Sequence, residues 1–226
     1  MPNIFLKCLV LLTLQNLKLS ENEIQDFLKL MSQQALRMQT LVQDLLTLSQ
    51  LEGSPLPSET EGHDFDTLWQ SCYEEAKGLM HVLNQRDGSS HTLQFELPEE
   101  LQAHQICGSL DEIKSAFTNL VSNALRYTPS GGAITVSCSH KDEHFEFSVK
   151  DTGFGISPEH LPRLTERFYR VDRSRSRDTG GTGLGLAIVK HVIQRHGGHL
   201  RIESKLNFGS CFTLEFPASR FKRKSI

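Results

Sequence analysis

Apolar residues recur every three or four positions from Ile24 onward: Ile24, Leu28, Met31, Ala35, Met38, Val42 and Leu45. Alternating steps of four and three keep them on one stripe of a helix, as in a heptad seam. Gln33, Arg37, Gln39 and Gln43 fall off that stripe. Ser20-x-x-Glu23 has the form of a capping box at the helix start. The pattern runs to about Leu51, where Gly53 and Pro55 stop it. At 1.5 Å per residue this helix is roughly 40 Å long. A helix of that length does not bury its stripe alone. The pattern therefore predicts partners: the preceding apolar residues 4–14 as an antiparallel helix, and a second copy of the chain. A single helix lying on its own domain is the plainer alternative. Residues 4–14 hold Lys7 and fall short of the roughly 20 apolar residues that a membrane span needs. No small-residue cleavage site follows them, so neither a membrane helix nor a signal peptide is expected.

Residues 53–62 are rich in Pro, Ser and Glu and read as a linker. Beyond them the periodicity changes. A helix is predicted over 66–80, a strand over 91–97 and a helix over 110–127, ended by Pro129 and Gly131-Gly132. Ile134, Val136 and Cys138 alternate, as do Phe145, Phe147 and Val149, which predicts two strands in hairpin relation. Residues 182–195 read as a helix closed by Gly197-Gly198. A second hairpin, 200–204 with 211–216, is expected around Asn207-Phe208-Gly209. Helices and strands intermix without strict βαβ alternation. The expected fold is α+β: an N-terminal helical segment, then a two-layer α/β sandwich with a mixed sheet and helices on one face.

Composition narrows the function classes. The 226 residues suffice for one sizeable core plus an appendage. A net charge of −3 and a sequence pI near 6.4 give no electrostatic footprint for nucleic acid. The five cysteines form no CxxC pair, which suggests a reducing compartment without a disulfide framework. His191, His196 and His199 lack acidic or thiol companions at ligand spacing, so no histidine metal site is expected.

Four motifs carry the chemistry. Asn119 and Asn123 lie four apart on one helix face, beside residues expected in the core. Buried amides need partners, and an amide oxygen is a good hard ligand for phosphate-borne Mg²⁺. Arg126 and Tyr127 follow one turn later. Asp151 ends a strand and enters Thr-Gly-Phe-Gly-Ile. Its carboxylate can accept from an exocyclic amine, while Gly153 and Gly155 let a flat base approach. Taken alone, Asp-x-Gly-x-Gly is equally an ordinary turn. Gly180-Gly-Thr-Gly-Leu-Gly-Leu186 precedes a helix, where backbone N–H groups can cradle phosphates. It fits neither a P-loop nor a dinucleotide fingerprint, and alone it is equally a flexible linker. Between these glycine motifs, Arg163, Arg167, Arg170, Arg173, Arg175 and Arg177 crowd a short stretch with Asp172 and Asp178, punctuated by Phe168 and Tyr169. It reads either as a solvated loop or as a lid with phosphate-binding arginines.

In order and spacing these motifs resemble the N, G1, F and G2 boxes of the ATP-binding domain of bacterial two-component sensor histidine kinases. That fold is shared with gyrase, the Hsp90 chaperone and mismatch-repair ATPases. The resemblance covers about residues 20–217. Within the family, residues 163–172 and 183–190 look closest to the phosphate-regulon sensor kinase, and residues 41–50 resemble its second dimerisation helix. The resemblance implies ATP and Mg²⁺ as cofactors. Asn123 would hold Mg²⁺ with Asn119 beside it, and Asp151 would bind the adenine amine, framed by Gly153, Gly155 and Ile156. Arg126 and Tyr127 would contact the phosphates and ribose region. Phe168 belongs to the lid, and Arg170 would approach the γ-phosphate. Gly181, Thr182, Gly183, Leu184, Gly185 and Leu186 would shape the phosphate end. Catalysis would rest on Arg170 and Asn119. Gyrase-like ATPases carry a general-base glutamate where this chain has Asn119, so the resemblance favours transfer to a protein acceptor over hydrolysis.

The family's phosphoacceptor is a histidine followed by an acid and, a few residues on, a proline. No histidine precedes His63 here, and neither His63 nor His160 has that context. The chain is therefore expected to begin inside the first dimerisation helix, after the acceptor, with the sensor and membrane spans upstream. The implied organisation is a partial helical dimerisation domain over 1–52, a linker over 53–62, an ATP-binding catalytic domain over 63–217 and a basic tail over 218–226. The implied function is that of the catalytic half of a cytoplasmic sensor kinase, homodimeric through the N-terminal helices and serving a response regulator, in phosphate-regulon signalling. The alternative is a non-catalytic ATP-binding or dimerisation module that modulates an intact kinase.

Overall fold

The computed structural model describes residues 20–88, 90–141, 144–171 and 181–224. The apolar residues 4–14 lie outside them. The chain divides into two compact units, Met1–Thr40 and Leu41–Ile226. Helix α1, Glu21–Gly53, begins in the first and ends in the second. Its start is capped as expected. The Ser20 N–H donates to Glu23 Oε2 at 2.9 Å, and the Glu23 N–H donates back to Ser20 Oγ at 3.4 Å. The seam residues Ile24, Leu28, Met31, Met38, Val42 and Leu45 are each between 41% and 59% exposed. Leu48 and Leu51, one and two turns later, are buried in the main core.

That core lies between a five-stranded sheet and three helices. The sheet has the order β2-β4-β5-β7-β6, with β2 (Thr92–Glu96) parallel to β4 (Ala133–Lys141). β5 (His144–Asp151), β7 (Gly209–Pro217) and β6 (His199–Lys205) pair antiparallel. Alternation sends Phe145, Phe147, Val149, Leu214 and Phe216 inward. Helix α2 (Phe65–Asp87) and helix α3 (Leu110–Tyr127) cover that face, joined by helix α4 (Gly185–Arg195). The rings of Phe117 on α3 and Phe147 on β5 stack at 3.6 Å. On the opposite face Glu146 sits across from Glu215. Arg201 bridges the two like charges, at 3.0 Å and 2.7 Å, which offsets their repulsion.

Several boundaries differ from the sequence expectation. α2 begins at Phe65 and continues past Met80 to Asp87. Asp64 Oδ1 caps its start by accepting from the Thr67 N–H at 2.8 Å, and Gly88, with φ 63°, supplies the left-handed exit. α4 starts at Gly185 rather than Thr182, because Gly183 has φ 78° and cannot sit inside a right-handed helix.

Residues 218–226, expected as a basic tail, do not form a free tail over their described length. Phe221–Arg223 is strand β8 and pairs with β3 (His104–Cys107), which pairs in turn with β1 (Gly62–Asp64). Phe221 is buried and stacks on Phe145 at 4.0 Å. Burying one phenyl ring contributes about 1.5–3 kcal/mol, enough to decide against a tail in water. The linker residues are likewise strapped down. Arg195 donates to the carbonyls of Leu51, Ser54 and Pro55. Arg220, itself buried, donates to those of Pro57 and Ser58.

α3 is also held at its N-terminus. The Ser109 N–H donates to His196 Nε2 at 3.2 Å, so the ring proton sits on Nδ1, which donates to the Val192 carbonyl at 2.8 Å. Burial pushes the His196 pKa below the ordinary 6.5, although Val192 and Glu112 pull it back. Protonation would place a donor against the Ser109 N–H. The unfolded chain takes up this proton below 6.5 while the native state resists. His196 therefore contributes stability that is fully present above 6.5 and is lost as pH falls toward its folded pKa. His196→Ala is expected to cost about 1–3 kcal/mol at pH 8 and to flatten the decline in stability between pH 7 and 5. Urea melts of both proteins at several pH values check this.

Candidate nucleotide site

The site lies where the ends of α3, β5 and the β6–β7 turn meet the glycine loop before α4. Strand parity puts Asp151, two residues after Val149, on the buried face. Its Oδ1 accepts from the Gly153 N–H at 2.8 Å and the Ser210 N–H at 3.3 Å. Burial pushes its pKa up, and those two hydrogen bonds oppose the shift. The loop beyond it is fastened on three sides. The Phe154 N–H donates to the Tyr127 carbonyl, the Asn207 N–H to the Phe154 carbonyl, and the Ile156 N–H to Ser204 Oγ. Gly155 has φ 64°, and a Cβ there would stand 2.0 Å from the Lys205 carbonyl oxygen. A side chain at this position would force the β6–β7 turn away from Asp151. A Cβ at Gly153 would meet the Tyr127 carbonyl at 2.4 Å, so backbone alone occupies the floor beside the carboxylate.

At the other end stand the two asparagines. Asn119 Nδ2 donates to the Ser115 carbonyl at 2.9 Å, within its own helix. Its Oδ1 faces Gly185, where a Cβ would lie 2.6 Å from that oxygen and 3.9 Å from Asn123 Nδ2. Only a glycine lets the start of α4 come this near both amides. No side chain caps that start, so its first N–H groups can take an anion. Leu184 is fully buried and seats the loop, and Leu186 packs against the core.

Residues 168–170 are fastened to the loop. The Phe168 N–H donates to the Gly183 carbonyl at 2.9 Å, and Phe168 has φ 64°, unusual for a phenylalanine. The position of a Gly181 Cβ lies 3.6 Å from Tyr127 Oη and 3.9 Å from Arg170 Nη2, so these three meet. Arg126 lies one helical turn beyond Asn123, half-buried. Thr182 Oγ1 accepts from the Leu184 N–H at 3.2 Å and donates to Asp44 Oδ2 at 2.6 Å.

Two lid arginines are placed elsewhere. Arg163 lies over the Tyr169 ring, 4.3 Å from its centroid, and pairs with Glu166, while Arg167 pairs with Glu52. Tyr169 Oη meets His160 Nδ1 at 2.7 Å. Asp172, Arg173, Arg175, Arg177, Asp178 and Gly180 lie outside the described residues.

Three contributors, Ser204, Ser210 and Asp44, left no signal in the sequence. Ser204 and Ser210 flank a turn read only as a hairpin, although Gly209, with φ 106°, packs directly on the Asp151 carbonyl. Asp44 lies off the apolar seam, where nothing local distinguishes it from a solvated carboxylate.

A carboxylate over glycine backbone at one end, and amides, an arginine and an uncapped helix start at the other, define a nucleotide-binding domain. The chain belongs to the family of histidine kinase-, DNA gyrase B- and HSP90-like ATPases, whose model matches residues 108–220. It is similar to the phosphate regulon sensor protein PhoR of Pseudomonas aeruginosa, at 46% identity over 189 residues that cover 84% of this chain and 41% of that protein. The histidine kinase AdeS of Acinetobacter baumannii shares the fold. Its TM-score is 0.65 at 22% identity, covering 95% of this chain and 93% of that one. Full-length ShkA in complex with AMPPNP superposes with a TM-score of 0.66 at 24% identity, covering 94% of this chain and 42% of that one. The chain spans less than half the length of the curated relatives it matches.

Asp151→Asn keeps an Oδ1, and with it both backbone hydrogen bonds, but turns the second oxygen into a donor. The expected result is an unchanged fold and a loss of ATP affinity on the order of 1–3 kcal/mol. Titration calorimetry with ATP and GTP checks it. The parent should prefer ATP, and the variant should lose most of that preference.

Proposed function

We propose that this chain is the catalytic part of a two-component sensor histidine kinase. Its pocket binds Mg·ATP and presents the γ-phosphoryl group to a histidine on a dimerisation helix, from which it passes to a response regulator. The observation that carries this reading is the approach of Gly185 to Asn119 Oδ1, with the Asn123 amide beside it, because it sets the asparagines against the uncapped start of α4. The Asn119 amide oxygen is a hard ligand beside an anion site, the chemistry a metal-bound polyphosphate requires.

Asn123 would hold Mg²⁺, with Asn119 beside it. When bound, the ion would neutralise the charge of the phosphates. Asp151 would accept from the adenine amine, with Gly153, Gly155 and Ile156 around the base. Arg126 and Tyr127 would contact the phosphates and ribose region. Phe168, Gly181, Thr182, Gly183, Leu184 and Leu186 would shape the cover and the phosphate end. Arg170 beside Gly181 would steady the charge on the transferring group. Asn119 already donates an amide hydrogen to the Ser115 carbonyl, and an amide is no general base, which favours transfer over activation of water. Identity to the P. aeruginosa protein supports a place in phosphate-regulon signalling with the matching response regulator. Among the described residues no helix is long and apolar enough to cross a membrane. By likeness to the sensor kinases, we place the domain in the cytoplasm.

No histidine precedes His63, so incubation with labelled ATP is expected to give no acid-labile phosphohistidine on this chain alone. A supplied dimerisation domain carrying the acceptor histidine should become labelled, and Arg170→Ala should abolish that transfer. ATP binding without labelling of any supplied acceptor would favour the non-catalytic module.

The exposed seam supports a homodimer through α1. Met38 is 59% exposed in the single chain, so Met38→Glu costs an isolated chain little but would bury a charge in a paired seam. Light scattering is expected to find a dimer for the parent and a monomer for Met38→Glu, with unchanged thermal stability of the domain.

A further inference from the structure

One charged residue at the phosphate end, Asp44, belongs to none of the four motifs. Asp44, on the part of α1 that packs within the larger unit, accepts a hydrogen bond from the Thr182 hydroxyl at 2.6 Å. A hydroxyl has a single proton, so while Thr182 donates to Asp44 it cannot donate to a phosphate oxygen. The same hydroxyl accepts from the Leu184 N–H, which ties the turn just before Gly185 to this contact. Burial pushes the Asp44 pKa up, while the Thr182 hydrogen bond and the charge of Arg126, one turn beyond Asn123, oppose that shift. Asp44 thus draws on a donor and a cation that a terminal phosphate would use, and it adds a negative charge among them.

The carboxylate is delivered by a fixed element. Leu48 and Leu51 anchor the end of α1 in the core, Arg195 holds the Leu51 carbonyl at 2.7 Å, and Glu52 pairs with Arg167. The pairing with Arg167 is half-exposed and weak. The buried leucines and the Arg195 clamp do most of the holding.

We propose that Asp44 is a specificity-determining residue that competes with the terminal phosphate of the nucleotide. Docking of the end of α1 and binding of a triphosphate oppose one another, while a diphosphate is opposed less. Like charges brought together in a partly desolvated pocket repel strongly. Linkage requires reciprocity: ATP loosens residues 41–53 by the same factor that docking weakens ATP. This rests on the ATP-site reading above.

The test is titration calorimetry of Mg·ATP and Mg·ADP on the whole chain and on Asp44→Asn, together with amide exchange of the parent. Asp44→Asn is expected to bind ATP about 5–20-fold more tightly, within the usual range for coupled sites, with a smaller gain for ADP. In the parent, ATP should speed exchange across residues 41–53 more than ADP does. Equal or weaker ATP affinity in a folded Asp44→Asn would overturn the proposal, as would ATP-induced protection of residues 41–53. Binding of ATP by both proteins with equal affinity sinks this proposal alone. Failure of both to bind either nucleotide sinks the ATP-site reading with it. The exchange measurement needs no substitution, so a poorly folding variant still leaves a decisive result.

Discussion

The burial of α3 against the five-stranded sheet is the constraint on which the rest of the site depends. Ile113, Ala116, Phe117, Leu120, Val121, Ala124 and Leu125 fill the space under the sheet, and Phe117 lies flat on Phe147. Truncating a core phenylalanine of this kind costs about 3–5 kcal/mol, so the helix has no freedom to roll. Its polar edge is fixed as a result. Asn119, Asn123 and Arg126 emerge along one side, and the Tyr127 carbonyl at the helix end receives the loop after Asp151. Both ends of the site are thereby referenced to one packed element.

Glycines then set how near the other pieces can come. At Gly185 and Gly155 a single Cβ would collide with an asparagine oxygen or a backbone carbonyl. Close approach is useful here for two different reasons. Near Asp151 it leaves a floor of backbone that suits a flat ring. Near Asn119 it brings the uncapped start of α4 against that residue's amide oxygen, a mixed set of donors and ligand that suits a phosphate carrying its own cation.

The connection between helix and domain is tighter than its composition implies. Pro, Ser and Glu in residues 53–62 suggest a pliant strand of chain, yet two arginines take five of the carbonyls between Leu51 and Ser58. Each guanidinium presents several donors in a fixed fork, so one side chain can hold a turn that has no regular hydrogen bonding of its own. Any movement of α1 relative to the nucleotide site has to break these bonds or bend the helix above them.

Periodicity by itself determined the long helix, α3, the two hairpins of the larger sheet and the order of the four motifs. These are local properties: a residue's neighbours at spacing two or three and four decide which face it shows. The asparagine pair, the aspartate at the strand end and the glycine loop were legible for the same reason, since each sits at the boundary of a regular element. Tertiary structure alone decided what lies far apart in sequence. It made Phe221 a core residue, paired β1, β3 and β8, and set the Ser210 N–H on Asp151 and the Ser204 hydroxyl on the Ile156 N–H. It also turned Asp44 from one polar position among many on a helix into the partner of Thr182, 138 residues away. Such contacts leave no periodic trace, because they depend on the path of the chain between them, and that path is set by the packing of the whole core.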